Sequence, residues 1–325
     1  MPTESMAAET SGTGRPPATG GVIHDLGYQR YDGPRLGRRR IVAALAWHSF
    51  RSAFGFGRGA KAKIVPVIVM IAICLPAIVN AFAMSRGNAR VVDYDTYTPV
   101  LRNLIMTVFV AVQAPELVSR DLRSRVLPLY FSRPIKPGDY PLAKYLGFTA
   151  ACLAVLEVPL LLLYVGSVVN VHGGAAVWAQ TRALVPGLLL GVMWAVSLAA
   201  ISLFLASLSG RRGLATGAVA IVFLLTYTLA QILLQVETQA VAHAGQGGGP
   251  PGAFNGPAPL GEKVAGLFSP FTLFDGVRRW LGGTNFGDNV PKVGAFGAVY
   301  ALVLIALVGL SLAGLGARYR KARLS

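Results

Sequence analysis

Three long stretches of the chain carry no charged side chain: Ile64–Met84, Leu214–Val236 and Val293–Leu315. A helix of about 20 apolar residues crosses the hydrocarbon core of a bilayer, where each backbone amide must find its partner within its own segment. These stretches therefore predict membrane helices. Ala183–Ser207 is also uncharged and long enough to span with tilt. Two further stretches carry a few charges: Thr98–Val118 with Arg102 and Glu116, and Tyr145–Val169 with Glu157. The expectation is an all-α integral membrane protein with six transmembrane helices, near 64–84, 98–118, 145–169, 183–207, 214–236 and 293–315. Composition points the same way. Only 14% of residues are charged, against roughly 25% in soluble domains, so too little polar surface exists to wrap a water-soluble globule.

The net charge of +16 raises the question of nucleic acid, and its distribution answers it. With both termini cytoplasmic, the inner segments 1–63, 119–144, 208–213 and 316–325 hold 22 of the 30 Lys and Arg residues, and the outer segments hold 7. That bias is the positive-inside rule, so no nucleic-acid partner is needed. The exception is Arg278-Arg279, in the long outer loop 237–292, where the rule is weak. Residues 1–37 read as a cytoplasmic N-terminal tail, partly disordered, and 38–325 as the membrane domain. Cys74 and Cys152 sit inside apolar runs as small hydrophobes, and His24, His48, His172 and His243 show no ligand spacing, so no metal site is expected.

Three segments outside the spans carry information. Arg38–Arg58 reads as an N-terminal cytoplasmic amphipathic interface helix: at about 100° per residue, Arg40, Arg51 and Arg58 share one stripe. Trp47 and Phe54 flank that stripe, and Ile41, Val42, Leu45 and Phe50 lie opposite. Such a helix either docks a cytoplasmic partner or anchors at the membrane surface. The segment 116–144 opens with a charge-dense helical stretch (Glu116, Arg120, Asp121, Arg123, Arg125) and continues into an apolar patch containing Val126, Leu127, Leu129, Tyr130 and Phe131. Pro134 and Pro137-Gly138 then break the helix. Apolar side chains beside arginines suit a groove on another protein, or a helix lying flat on the bilayer. In the outer loop, the Gly/Pro-rich 245–261 reads as a tether, and 262–287 as an apolar segment with a helix start at Ser269-Pro270. It is expected to be either re-entrant or surface-lying.

The run Glu116, Arg120-Asp121, Leu127, Leu129, Arg133-Pro134, Tyr140 and Lys144 resembles the cytoplasmic coupling region of ABC-2-type transporter permeases. The resemblance extends to a pre-span interface helix, six spans and a loop before the last span. It implies that 116–131 is a coupling helix seated in a groove of a separate ATP-binding cassette ATPase subunit, with Glu116, Arg120, Asp121, Arg123, Arg125, Leu127, Leu129, Tyr130 and Phe131 as docking residues. It also implies a second permease chain, identical or paralogous, location in the cell inner (plasma) membrane, and export as the direction. Pro128 departs from the helical run usual in the family.

Glu157 falls near mid-bilayer beside Pro159, where a carboxyl is costly and faces protein or water. With Tyr227 and Gln231 on the fifth span it forms a candidate translocation path; a structural carboxyl is the other reading. No G-x-x-x-x-G-K-[ST] motif, H-E-x-x-H helix or Ser/His/Asp set occurs, so no intrinsic catalysis and no cofactor in this chain are expected, ATP and Mg belonging to the partner subunit. Two alternatives stand beside the permease reading: a secondary transporter working through Glu157, and an intramembrane lipid-modifying enzyme.

Overall fold

In the helix α2, Lys61–Ser85, the residues turned outward are Ile64, Ile68, Ile71, Leu75, Ile78 and Phe82, and those turned inward are Val69, Ile73, Ala77 and Asn80. Both faces are greasy. A helix in water would expose polar residues instead, so this outer stripe is suited to lipid. The same pattern recurs along the other long helices, with Leu189, Ile221, Leu225, Leu302, Ile305 and Leu310 all more than half exposed.

The computed structural model describes residues 33, 37–86, 99–123, 136, 138–171, 173–244, 260–281 and 294–324. Of the first unit, Met1–Leu36, only Gly33 is among them; Gly37–Ser325 forms the second unit. The elements are α1 (Arg38–Ala53), α2, α3 (Pro99–Arg123), α4 (Asp139–Val169), α5 (Gly174–Ser207), α6 (Arg212–Ala244), α7 (Leu260–Ala265), a 3₁₀ turn (Gly266–Phe268), α8 (Pro270–Trp280), a second 3₁₀ turn (Gly294–Phe296) and α9 (Gly297–Leu324). The described residues contain helices and no strand. Five segments are long and apolar enough to cross a membrane: Lys61–Ser85, Asp139–Val169, Gly174–Ser207, Arg212–Val236 and Gly294–Lys321. This is the make-up of a multi-pass helical membrane protein. Within α3 the apolar helical stretch is shorter, Asn103–Ser119.

The core lies where α4 packs on α5, α1 and α2, and where α3 packs on α6 and α5. An aromatic chain runs through it from Trp47, Phe50 and Phe54 to Phe109 and Phe148, with successive ring centroids 5.3–6.1 Å apart. Helix α1 packs tightly on α4 at Gly147, where any Cβ would collide with the Ala46 carbonyl and the Ser49 side chain. Gly147→Val is therefore expected to push α1 off α4, at about 1–3 kcal/mol. The readout is a lowered thermal unfolding midpoint in detergent, and Gly59→Val, with open space around it, should leave the midpoint unchanged.

The first helix is shorter than the expected stretch to Arg58. It ends at Ala53 because Gly55 and Gly57 adopt φ of +75° and +79°, a left-handed backbone that closes a turn and that glycine adopts without strain. Arg58 thus leaves the stripe predicted for Arg40 and Arg51, and donates from Nη1 to the Ser52 carbonyl at 3.0 Å. The face of α1 toward the bundle carries the buried Ser49 and Ala53, while Trp47 points outward at 60% exposure.

Candidate functional site

Alternating chain direction brings the end of α3, the starts of α2, α4 and α6, and the ends of α5 and α9 to one end of the bundle. Charges converge there. Glu116, one turn beyond the middle of α3 toward this end, pairs with Arg58 from the α1–α2 connection and with Arg212 Nη1 at 2.9 Å, at the start of α6. Its side chain is only 7% exposed. Asp121, further along α3, accepts from Tyr140 Oη at 2.5 Å and pairs with Lys144 Nζ at 2.8 Å, both on α4. Asp139, in the first turn of α4, is held by two hydrogen bonds from Arg38, at 2.5 and 2.6 Å, which tie the start of α1 to α4. Ser119 Oγ donates to the Ala206 carbonyl at 2.9 Å, and Arg318 Nε on α9 reaches the Ser207 carbonyl at 3.2 Å, occupying acceptors at the α5 C-terminus. Tyr319 completes the layer against Tyr140, ring centroids 5.5 Å apart.

This collar clamps the last turns of α3 between α4, α6 and the α1–α2 connection. Carboxylates with arginine or lysine partners and a tyrosine donor make charge-assisted bonds that are short and directional. Force applied to the chain that follows Arg123 would pass directly into several helices at once.

Of the docking residues expected from the sequence, Glu116 and Asp121 are in this collar, with their carboxylates turned into the bundle. Arg120 and Arg123 belong to α3, which runs unbroken from Pro99, but their side chains lie outside the described residues, as do those of Arg125, Leu127, Leu129, Tyr130 and Phe131. No family model matches the chain, and no curated protein does.

The translocation-path residues have different neighbours. Glu157 sits on α4 with its carboxylate against Gly191 of α5, so close that a Cβ there would overlap Oε1. Both carboxylate oxygens are buried, and neither has a hydrogen-bond partner among the described residues. Tyr227 on α6 instead meets Phe271 of α8 edge-on, ring centroids 5.6 Å apart, and Gln231, one turn on, is half-buried. Among the described residues no group of three His, Cys, Asp or Glu could hold a metal ion.

Helix α8 begins where the sequence expects, in the segment read as either re-entrant or surface-lying. Ser269 caps it through the Phe271 amide at 3.3 Å and Pro270 opens it, as the Ser-Pro pair predicts. Its body is buried rather than laid on a surface: Phe271 and Phe274 pack on Trp194 of α5, and Phe271 also reaches Phe223 of α6. Phe223 lies roughly 16 Å along α6 from Arg212, and Trp194 roughly 20 Å from Ser207 at the end of α5. The tip of the 3₁₀–α8 turn therefore reaches the middle of those helices from the end opposite the collar. Tyr300 of α9 closes over it, packing on Gly266 and Gly276 and donating to the Lys263 carbonyl at 2.6 Å. Arg278, counted from sequence as an outer-loop charge, is 2% exposed, with Asp275 one turn back at 3.7 Å. The i,i+3 spacing of Asp275 and Arg278 after a Ser-Pro start was the available signal.

Proposed function

We propose that this chain is the membrane half of an ABC-2-type exporter, driven by a separate ATP-binding cassette subunit that docks on residues 116–144. The observation that carries this reading is the clamp on the end of α3: Glu116 and Asp121 join that helix to α4, to α6 and to the α1–α2 connection. A partner pulling on 124–138 would move α3 and α4 together, and with them the packing around Phe109 and Phe148. In this reading α3 is the second of six spans, α1 lies at the cytoplasmic face of the plasma membrane, and both termini are cytoplasmic. Two copies, identical or paralogous, make a twelve-span pathway. The α8 turn is a re-entrant element that caps the pathway from outside, with Tyr227 at its tip. ATP and Mg bind in the partner, and this chain performs no catalysis.

The test is a gentle-detergent pull-down of the tagged chain from native membranes, beside a Leu127→Asp, Tyr130→Asp variant. A P-loop ATPase that co-purifies with the wild type and is lost with the variant is the expected result. Its absence from the wild type, under conditions that keep other membrane complexes whole, would remove the assignment. Secondary transport through Glu157 is the second reading, favoured by the buried carboxyl that lacks a partner among the described residues. It predicts flux that follows an ion gradient in vesicles without ATP.

A further inference from the structure

Beside the α1–α4 contact lies an open trough of about 710 Å³. Its floor is apolar, made by Val42, Ala43 and Ala46 of α1 with Leu142 and Leu146 of α4, and its rim carries Arg38, Arg39 and Arg40. Asp139 is the acid in the lining, and Arg38 engages it with both Nε and Nη2. Arg39 and Arg40 are exposed and have no acidic partner among the described residues. The rim thus presents two exposed guanidinium groups, unpaired among the described residues, above a greasy floor.

We infer that this trough binds one anionic phospholipid of the bilayer, its phosphate held by Arg39 and Arg40 and an acyl chain lying along Leu142 and Leu146. Two features select a lipid over a protein segment. First, the floor does not close: Leu142, Leu146 and Ala150 are exposed at successive i,i+4 positions, and the stripe continues to the half-buried Leu153, one turn before Glu157, along the same membrane-spanning helix. An acyl chain entering at the arginines has an apolar track of about 16 Å, from Leu142 to Leu153, leading into the hydrocarbon, whereas an extended polypeptide would leave its backbone amides unpaired there. Second, the trough is at the collar end, where Trp47 stands 60% exposed on α1 at the level expected of a headgroup-depth aromatic. The guanidinium fork suits a phosphate bidentately, and the bound lipid would bridge α1 to α4 in parallel with the Arg38–Asp139 pair. The inference rests on α1 lying at the membrane surface. It does not involve the 124–138 segment, so its failure would leave the ATPase pull-down unaffected.

The test uses the full-length chain purified in mild detergent and exposed to equal amounts of phosphatidylglycerol and phosphatidylcholine, with retained lipid counted by native mass spectrometry. A photo-crosslinkable phosphatidylglycerol maps the contact. The wild type is expected to retain phosphatidylglycerol preferentially, label on peptides of α1 and the start of α4, and keep the lipid in millimolar inorganic phosphate. Arg39→Gln with Arg40→Gln should cut the preference roughly tenfold. Ala43→Trp, which fills the floor and keeps the arginines, should abolish the α1 label. Displacement by inorganic phosphate would make the site one for free anions and overturn the lipid assignment. Equal retention of the two lipids, or a preference unchanged in both variants, would overturn it too and leave the trough to a protein segment.

Discussion

Glu116→Lys is expected to leave the chain inserted and helical while releasing the end of α3 from its neighbours. The carboxylate is nearly buried and faces Arg58 and Arg212. The variant would bring a third cation between them. Breaking one partner out of a buried ion pair costs about 3–5 kcal/mol, because the remaining charge is left without compensation. The two arginines should not share that loss equally. The Arg58 side chain is 17% exposed and also holds the Ser52 carbonyl, whereas that of Arg212 is 61% exposed and can turn to water.

A double-mutant cycle separates them. Glu116→Gln combined with Arg58→Met should give a coupling energy of about 2 kcal/mol or more by thermal or chemical unfolding in detergent, and the cycle with Arg212→Met about 1 kcal/mol or less. Additive effects in the Arg58 cycle would refute the bridge as an inward-facing joint. In the transporter reading the Glu116→Lys chain still recruits the ATPase but loses flux, since the docking segment remains and its lever no longer grips α6. Normal flux with an intact complex would remove Glu116 from the coupling path.

Why α2 and α9 were legible and the collar was not follows from the physics of each. An uncharged run such as Ile64–Met84 has one low-energy option in lipid, a helix, so composition alone fixes it. The helices nevertheless extend past their apolar runs: α4 begins at Asp139, before Tyr145, and α5 at Gly174, before Ala183. Polar turns at a membrane interface carry no hydropathy signal, and pairs such as Arg38–Asp139 hold them helical. The turn at Gly55 and Gly57 was visible as a glycine cluster, but that it would swing Arg58 onto Glu116 was not, since periodicity along one element says nothing about its partner in another. Arg278 misled for the same reason. Its charge fits a loop, and only the packing of α8 beneath Tyr300 and beside Trp194 and Phe223 takes it out of water.

Glu157→Met is expected to stabilise the protein. A carboxyl buried with neither oxygen bonded among the described residues forfeits its hydration with no hydrogen bond in return, a penalty of about 1–3 kcal/mol on protein mutational scales. Methionine is close in length, unbranched and apolar, so it can fill the same space against Gly191 without that penalty. Gln, which keeps the polar burden, should sit close to wild type. A structural carboxyl bonded to a neighbouring helix would give the opposite order, with Met the less stable variant. Thermal unfolding of the three chains in one detergent therefore measures whether the site is a joint or a cost. Flux completes the test: a more stable Glu157→Met chain that no longer transports puts the carboxyl in the translocation path. A more stable chain with unchanged flux would take Glu157 out of the path, leaving Tyr227 at the α8 tip as the remaining inner contact to probe.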